Sequence, residues 1–330
     1  MLVERGLQEQ LQELNQELRK RRAAGPEKEM LRRSMRERLG RFAALQPMGE
    51  KEVKAWSGGR AMVGVDGSVN FYGHGFPYVV YLFQALARST RPAEDRCRVA
   101  LSEVRSPMLP GDRQLLASSG REEVEAWESL RHRRLAEMEV EVAIEAVKAF
   151  RPFLVLFDGG LTRYAVQAGR RWEEYRRLAL AEGVLTVGVI EETGTSLLSD
   201  TLGEGLPETL RGEYDRVLLF GLLDPGECFR LREDILFKRG DFYTCFARLS
   251  WHPQAVACDF FREQVKEVPR LMNYLFTVTP QGGRGIPLWL DLVDREARIS
   301  GRDLEMMLSA CVETEIREIF LTPQRERRDF

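Results

Sequence analysis

Two short apolar runs of this 330-residue chain each end in Asp-Gly: Ala61-Met62-Val63-Gly64-Val65-Asp66-Gly67-Ser68 and Phe153-Leu154-Val155-Leu156-Phe157-Asp158-Gly159-Gly160. Each reads as a buried strand that delivers a carboxylate at its C-terminal end, with glycine just beyond so that the chain can turn. Carboxylates at the ends of buried strands are costly unless a cation or hydrogen-bond donors meet them. Asp66 and Asp158 therefore point to a divalent-metal site, and metal-dependent phosphodiester chemistry is the leading use for it. A turn-forming Asp-Gly is the plainer reading of either position.

Position on a helix singles out a third acid. The run from about Arg121 to Phe150 has a helical pattern. At about 100° per residue, Leu135, Met138, Val142, Ala143, Ala146, Val147 and Phe150 share one side, and Glu139 lies among them. Glu137, Glu141, Glu145 and Lys148 collect on the other side, where a solvated face is expected. Glu139 is thus an acid on the face that should meet the sheet, with an edge residue reaching back to water as the alternative.

The elements around these acids are three strands (Ala61 to Val65, Tyr78 to Ala87, Arg98 to Val104), the long helix, and the strand ending at Asp158. A helix from about Thr162 to Ala181 and a strand from Val184 to Ile190 follow. Three strands, helix, strand, helix, strand is the order of an RNase H-like fold. The expected fold class is α/β: an RNase H-like mixed sheet flanked by helices, with an N-terminal helical hairpin and C-terminal helical and strand additions. Residues from about 2 to 46 read as charged and helical, divided at Pro26, with Leu7, Leu11, Leu14 and Leu18 at helical spacing. That hairpin should pack on the body or on a second subunit. The expected organisation is an N-terminal helical segment over 1–48 and one larger domain over 49–330, with its RNase H-like core at about 60–192. Further on, Val217 to Phe220 suggests a short strand, and Phe242 to Leu249 with Ala255 to Phe261 a strand pair. Helices are expected from about Leu288 to Arg298 and from about Gly301 to Glu318.

Composition narrows the classes. Hydrophobic residues make up 44% and charged residues 30%, so a globular protein with a sizeable core is expected. Net charge is −2, so nucleic-acid contact must come from local arginine-rich surface. No apolar stretch is long enough to cross a bilayer, and no signal-peptide core follows the N-terminus, so a cytoplasmic location is expected. The five cysteines (Cys97, Cys228, Cys245, Cys258, Cys311) lack Cys-x-x-Cys spacing and read as buried free thiols. With only His74, His132 and His252 present, carboxylates must do most of any metal work. No phosphate-binding Gly-x-x-x-x-Gly-Lys-[Ser/Thr] loop is present, which disfavours a nucleotide-driven motor.

The motifs also resemble the NurA nuclease family, DNA-end-processing nucleases with an RNase H-like core. The resemblance rests on Val65-Asp66-Gly67-Ser68, on Leu156-Phe157-Asp158-Gly159-Gly160-Leu161, and on Phe242 to Leu249 with Cys258-Asp259. Gly285-Ile286-Pro287-Leu288, Val293-Asp294 and Ala297-Arg298-Ile299 complete it, over roughly residues 50 to 320. It implies a Mn2+-dependent nuclease, with Mg2+ as an alternative, acting 5′ to 3′ on DNA ends and on single-stranded DNA. It also implies a homodimer working with a hexameric HerA-type ATPase in double-strand-break end resection. Carried over, Asp66 and Asp158 match the two Asp-Gly metal ligands. Glu139 matches the intervening glutamate, with Glu141 a rival by spacing. Asp259 matches a late acidic position, and Asp294 falls where many relatives have histidine. Many relatives carry a lysine where this chain has Glu191, a role that Lys238 is one candidate to fill.

On this basis Asp66 bridges two cations, Glu139 and Asp158 hold one, and Asp259 and Asp294 the other. Arg163, Arg170, Arg171, Arg176 and Arg177 are candidate DNA contacts, or a solvated helix face paired with Glu173 and Glu174. Phe71, Tyr72 and Phe76 are candidate stacking platforms or hairpin core, and His74 a candidate phosphate contact. Ser68 is a candidate partner for a carboxylate or phosphate. Two other readings stay open: a catalytically weakened subunit that binds DNA or an ATPase, and another RNase H-like structure-specific nuclease.

Overall fold

A computed structural model describes residues 5–23, 28–120, 122–206, 208–235 and 242–322. Nine strands form one mixed sheet: β1 (Gly40–Ala44), β2 (Met62–Gly75), β3 (Tyr78–Ala93), β4 (Arg96–Arg105), β5 (Leu154–Asp158), β6 (Leu185–Ile190), β7 (Glu227–Leu231), β8 (Phe242–Arg248) and β9 (Val256–Phe261). Their spatial order is β1-β7-β8-β9-β6-β5-β2-β3-β4. The part β4-β3-β2-β5-β6 has the expected RNase H-like arrangement. β2 and β3 form a long antiparallel hairpin, whereas β5 pairs in parallel with β2 and β6. The parallel strands are apolar runs because both faces are covered.

Alternation along the strands divides the interior into two layers. Val63, Val65, Val155 and Phe157 face the long helix Glu123–Phe150 and join Met138, Val142, Ala146, Trp172 and Tyr175 in one core. Met62, Leu154 and Leu156 face the other way, into a core with Met35, Leu39, Phe246, Leu271 and Leu290. Asp66 and Asp158 each follow a residue of the first set. Both therefore belong to the second face, where the helix Leu288–Ala297 packs.

Several elements differ from the sequence reading. β2 does not end at Asp66; it continues to Gly75, so Asp66 lies within a strand and only Asp158 closes one. Gly67 serves close approach rather than a turn: a Cβ there would lie 2.8 Å from Glu139 Cγ. The helix expected over Thr162 to Ala181 breaks at Gly169, whose φ is +46°, into Leu161–Gln167 and Arg170–Ala181. Val217 to Phe220 is not a strand but belongs to the helical turn Asp215–Leu219 and the residue after it. Leu218 and Leu219 are buried there while Val217 and Phe220 are exposed, a split that so short a run does not reveal. The C-terminal helix divides into Gly301–Cys311 and Thr314–Phe320. β1, β7 and the helix Glu50–Ser57 were missed altogether.

At the N-terminus, helices Arg5–Ala23 and Lys28–Arg38 are present, but residues 40–44 leave the helical pattern and pair with β7. The second helix is fastened to the sheet through Leu31 and Met35 and through a two-pronged pair between Arg32 and Glu227 at 2.7 and 2.6 Å. Of the cysteines, Cys228, Cys245 and Cys258 are buried, Cys97 is half-buried and Cys311 is exposed.

Gly188 of β6 locks the sheet to the loop after Asp158. A Cβ there would come within 2.5 Å of the Gly159 carbonyl oxygen and 2.9 Å of Leu161 Cδ2. Gly188→Ala is therefore expected to destabilise the fold by about 1–3 kcal/mol, because the obstacle includes backbone. A lowered midpoint in urea unfolding with an unchanged slope checks this.

Candidate active site

Parallel pairing of β2 with β5 places Val65 opposite Phe157. The next residue on each strand is aspartate, so Asp66 and Asp158 are neighbours across a strand spacing of about 4.8 Å. Asp66 is 8% exposed. Its carboxyl is pushed up to about 7, first by burial and then by the charge of Asp158, with Asp294 adding to it. The Gly67 N–H and the Arg163 guanidinium oppose that rise. Asp158 is pushed up to about 6, again by burial first and then by Asp294, while Arg284 pulls it down. Three acids from three distant stretches thus share one electrostatic neighbourhood.

Asp294 arrives there because its helix is docked at several points. The helix packs Trp289, Leu290 and Val293 onto β2 at Gly64, where a Cβ would lie 2.9 Å from Val293. Its last turn and the residues after it leave carbonyls without helical partners. Gln84 Nε2 donates to the Glu296 carbonyl at 3.0 Å and Asn70 Nδ2 to that of Ile299 at 3.0 Å. Ser68 Oγ donates to the Ala297 carbonyl, so Ser68 holds a helix end rather than a ligand. Asp294 itself is half-buried and meets Arg298 at 3.0 Å.

Glu139 is buried, at 1% exposure, on the long helix. It comes from the opposite face, where Gly67 leaves room for it, and pairs with Arg163 of the helix Leu161–Gln167. The charge of Arg163 in turn acts on Asp66 and opposes the rise of its carboxyl. Glu141 faces elsewhere, toward Arg134 at 3.2 Å and Arg171 at 3.6 Å.

Asp259 has structural partners close to the Asp158 loop. Its carboxylate accepts from the Leu161 N–H at 3.2 Å and from Thr244 Oγ1 at 2.8 Å. It ties the start of the Arg163 helix to β8 and β9, a positioning role. The expected DNA-binding arginines also divide. Arg171 pairs with Glu174, Arg176 with Glu263, and Arg177 bonds the Glu173 carbonyl. Phe71 is exposed and packs beside Tyr81, with ring centres 5.6 Å apart; His74 is exposed on the same hairpin. Lys238 lies outside the described residues.

Arg284 escaped the sequence reading. It extends from the loop Gly282-Gly283-Arg284-Gly285 and meets Asp291 at 2.8 Å and Glu191 at 2.8 Å, next to Asp158. An arginine flanked by glycines was the available signal, but nothing local shows that it folds back onto β6.

Hard oxygen donors of this kind suit Mg2+ or Mn2+. Among the described residues, no group of three or more His, Cys, Asp or Glu side chains is arranged to hold a metal ion. The reason is visible in the pairing: Glu139 and Asp294 are turned to Arg163 and Arg298. The donor chemistry fits a divalent cation once those acids turn inward. Two raised, adjacent aspartates are the observation that asks for one.

A profile of the NurA domain matches residues 60–299. The crystal structure of the NurA nuclease from Sulfolobus solfataricus aligns with a TM-score of 0.60 at 12% identity, covering 97% of this chain and 100% of that one. Endonuclease V from Bacillus subtilis aligns at a TM-score of 0.37 and 14% identity, over 82% of this chain and 88% of that one. No curated protein matches the sequence.

The raised aspartates set a pH dependence. The folded state holds protons on Asp66 and Asp158 that the unfolded chain has lost above its ordinary carboxyl range, near 3.8. Without metal, their contribution to stability is full below that value and is lost as pH rises toward about 7. Asp66→Asn should flatten this fall. Urea unfolding of both proteins in a chelator from pH 4 to 8 checks it, the wild type losing more stability than the variant over that range.

Proposed function

Because the chain belongs to the NurA family of DNA nucleases, we propose that it hydrolyses phosphodiester bonds at DNA ends and in single-stranded DNA with cations held by Asp66, Asp158, Asp294 and Glu139. The adjacency of Asp66, within β2, and Asp158, at the end of β5, each raised by burial and neighbouring acid, carries this reading. Two divalent ions, Mn2+ by preference and Mg2+ as an alternative, supply an activated water and stabilise the leaving oxygen.

The chain's own residues do the rest. Asp66, within reach of the charges of both Asp158 and Asp294, would be shared by the cations the three acids hold. Tyr164 donates to the Asp158 carbonyl at 3.0 Å and fixes the turn. Gly159 and Gly160 bring backbone without side chains to the place where a phosphate would lie. Asp259 holds the Arg163 helix, and Arg284 supplies positive charge beside Asp158. That guanidinium supports an active enzyme over a weakened subunit, since Glu191 is paired by it rather than left to repel phosphate.

The family also suggests 5′-to-3′ polarity, end resection in double-strand-break repair, a HerA-type hexameric ATPase as partner and a cytoplasmic setting. Among the described residues no helix is long and apolar enough to cross a membrane. A homodimer has support in the chain itself. Leu7, Leu11, Leu14 and Leu18 are each about half exposed on the first helix, at the 4-3-4 spacing of a helix–helix seam.

Asp66→Ala should reduce Mn2+-dependent cleavage of a 5′-labelled strand by more than about 100-fold, beyond the loss typical of a supporting residue. Undiminished cleavage by the folded variant defeats the proposed site. Leu11→Glu with Leu14→Glu should shift the sedimenting species from dimer to monomer, and an unchanged dimer removes the helix from the interface.

A further inference from the structure

We propose that Arg163 is a DNA-phosphate-binding residue which Glu139 keeps occupied until a divalent cation takes Glu139 away from it. The proposal rests on the metal-dependent nuclease reading above and goes beyond it, by coupling cation binding to DNA binding through one side chain.

Arg163 differs from the arginines that follow it. Arg171 and Arg176 pair with Glu174 and Glu263, acids whose side chains are 43% and 44% exposed and so can be solvated by water when the pair opens. Glu139 is 1% exposed and Arg163 is 36% exposed, so one partner is locked in the interior and the other reaches solvent. A buried carboxylate stripped of its counterion is costly. Arg163 is therefore not free to leave unless another cation replaces it. A divalent ion does so with charge to spare.

Three further observations place Arg163 where the exchange matters. Its partner Glu139 lies against Gly67, the residue after Asp66, and the charge of Arg163 itself acts on Asp66. Its Nε is buried with no hydrogen-bond partner, leaving donor capacity unused. Its guanidinium carbon lies 4.5 Å from the centre of the Tyr164 ring, and Tyr164 is anchored to the Asp158 carbonyl. The ring gives the cation a nearby resting surface after Glu139 is lost. The planar guanidinium fork suits the two oxygens of a phosphate. Charge balances in the exchange: the Glu139–Arg163 pair is replaced by Glu139 with the cation and Arg163 with the phosphate.

Binding of a labelled phosphorothioate single strand, measured by fluorescence anisotropy in chelator and in Mn2+, tests this. Wild-type protein should bind more tightly in Mn2+. Glu139→Gln should bind about tenfold more tightly than wild type in chelator, the scale of one charge-assisted hydrogen bond. Its salt dependence should steepen by about 0.7 in log–log slope, one single-strand phosphate contact. Glu137→Gln removes an acid from the solvated side of the same helix and controls for net charge. Adding Arg163→Gln to Glu139→Gln should erase the gain, and Arg163→Lys should keep part of it. Glu139→Gln behaving like Glu137→Gln, or keeping its gain without Arg163, overturns the proposal.

Should Glu139→Gln not fold, Arg163→Gln decides by calorimetry. Removing the competitor should tighten Mn2+ binding while the Mn2+-linked gain in DNA affinity disappears. Weakening of both, or neither, overturns the proposal. Loss of cleavage in Asp66→Ala together with such a result leaves the nuclease reading standing, whereas full cleavage by Asp66→Ala removes that reading itself.

Discussion

The parallel pairing of β2 with β5 is the constraint on which the site depends. With Val65 opposite Phe157, the register fixes two aspartates side by side on one face. A slip of one residue would send either to the opposite layer. The apolar residues before them are buried on both faces, so the register is held by the core, and the acids are carried to a place water reaches poorly. Their raised carboxyls follow from that burial first, then from Asp158 acting on Asp66 and Asp294 acting on Asp158. Two raised carboxyls side by side favour protons or a cation, and the proposed function rests on that preference.

Arginines manage the neighbouring acids. Glu139, Asp294 and the Glu191–Asp291 pair each face a guanidinium, from Arg163, Arg298 and Arg284. Asp66 and Asp158 feel Arg163 and Arg284 electrostatically, yet both carboxyls stay raised. The docking of the Leu288–Ala297 helix by Ser68, Asn70 and Gln84 belongs to the same design, because those donors lie on the hairpin that carries Asp66.

Much of this was legible in the chain. The two apolar runs before Asp-Gly, the buried Glu139 side of the long helix and the RNase H-like strand order all follow from periodicity and residue type. What was misread shares one cause. Asp66-Gly67 looks like a strand end because Asp-Gly is a common turn, yet Gly67 is present so that Glu139 can approach. Asp259, a candidate by its place in the motif, also has a structural task that local pattern does not show, since the Leu161 N–H and Thr244 meet its carboxylate. Arg284 and strands β1 and β7 carry weak local patterns and take their roles from distant partners.

The sequence by itself determined which residues are acids at the ends or sides of buried segments, because burial and period are properties of a local stretch. Only the tertiary structure decided which acids meet, because register between β2 and β5, docking of the helix with Asp294 and the reach of Arg163 are long-range contacts. Local pattern sets what a side chain costs to bury; packing sets who is there to share that cost.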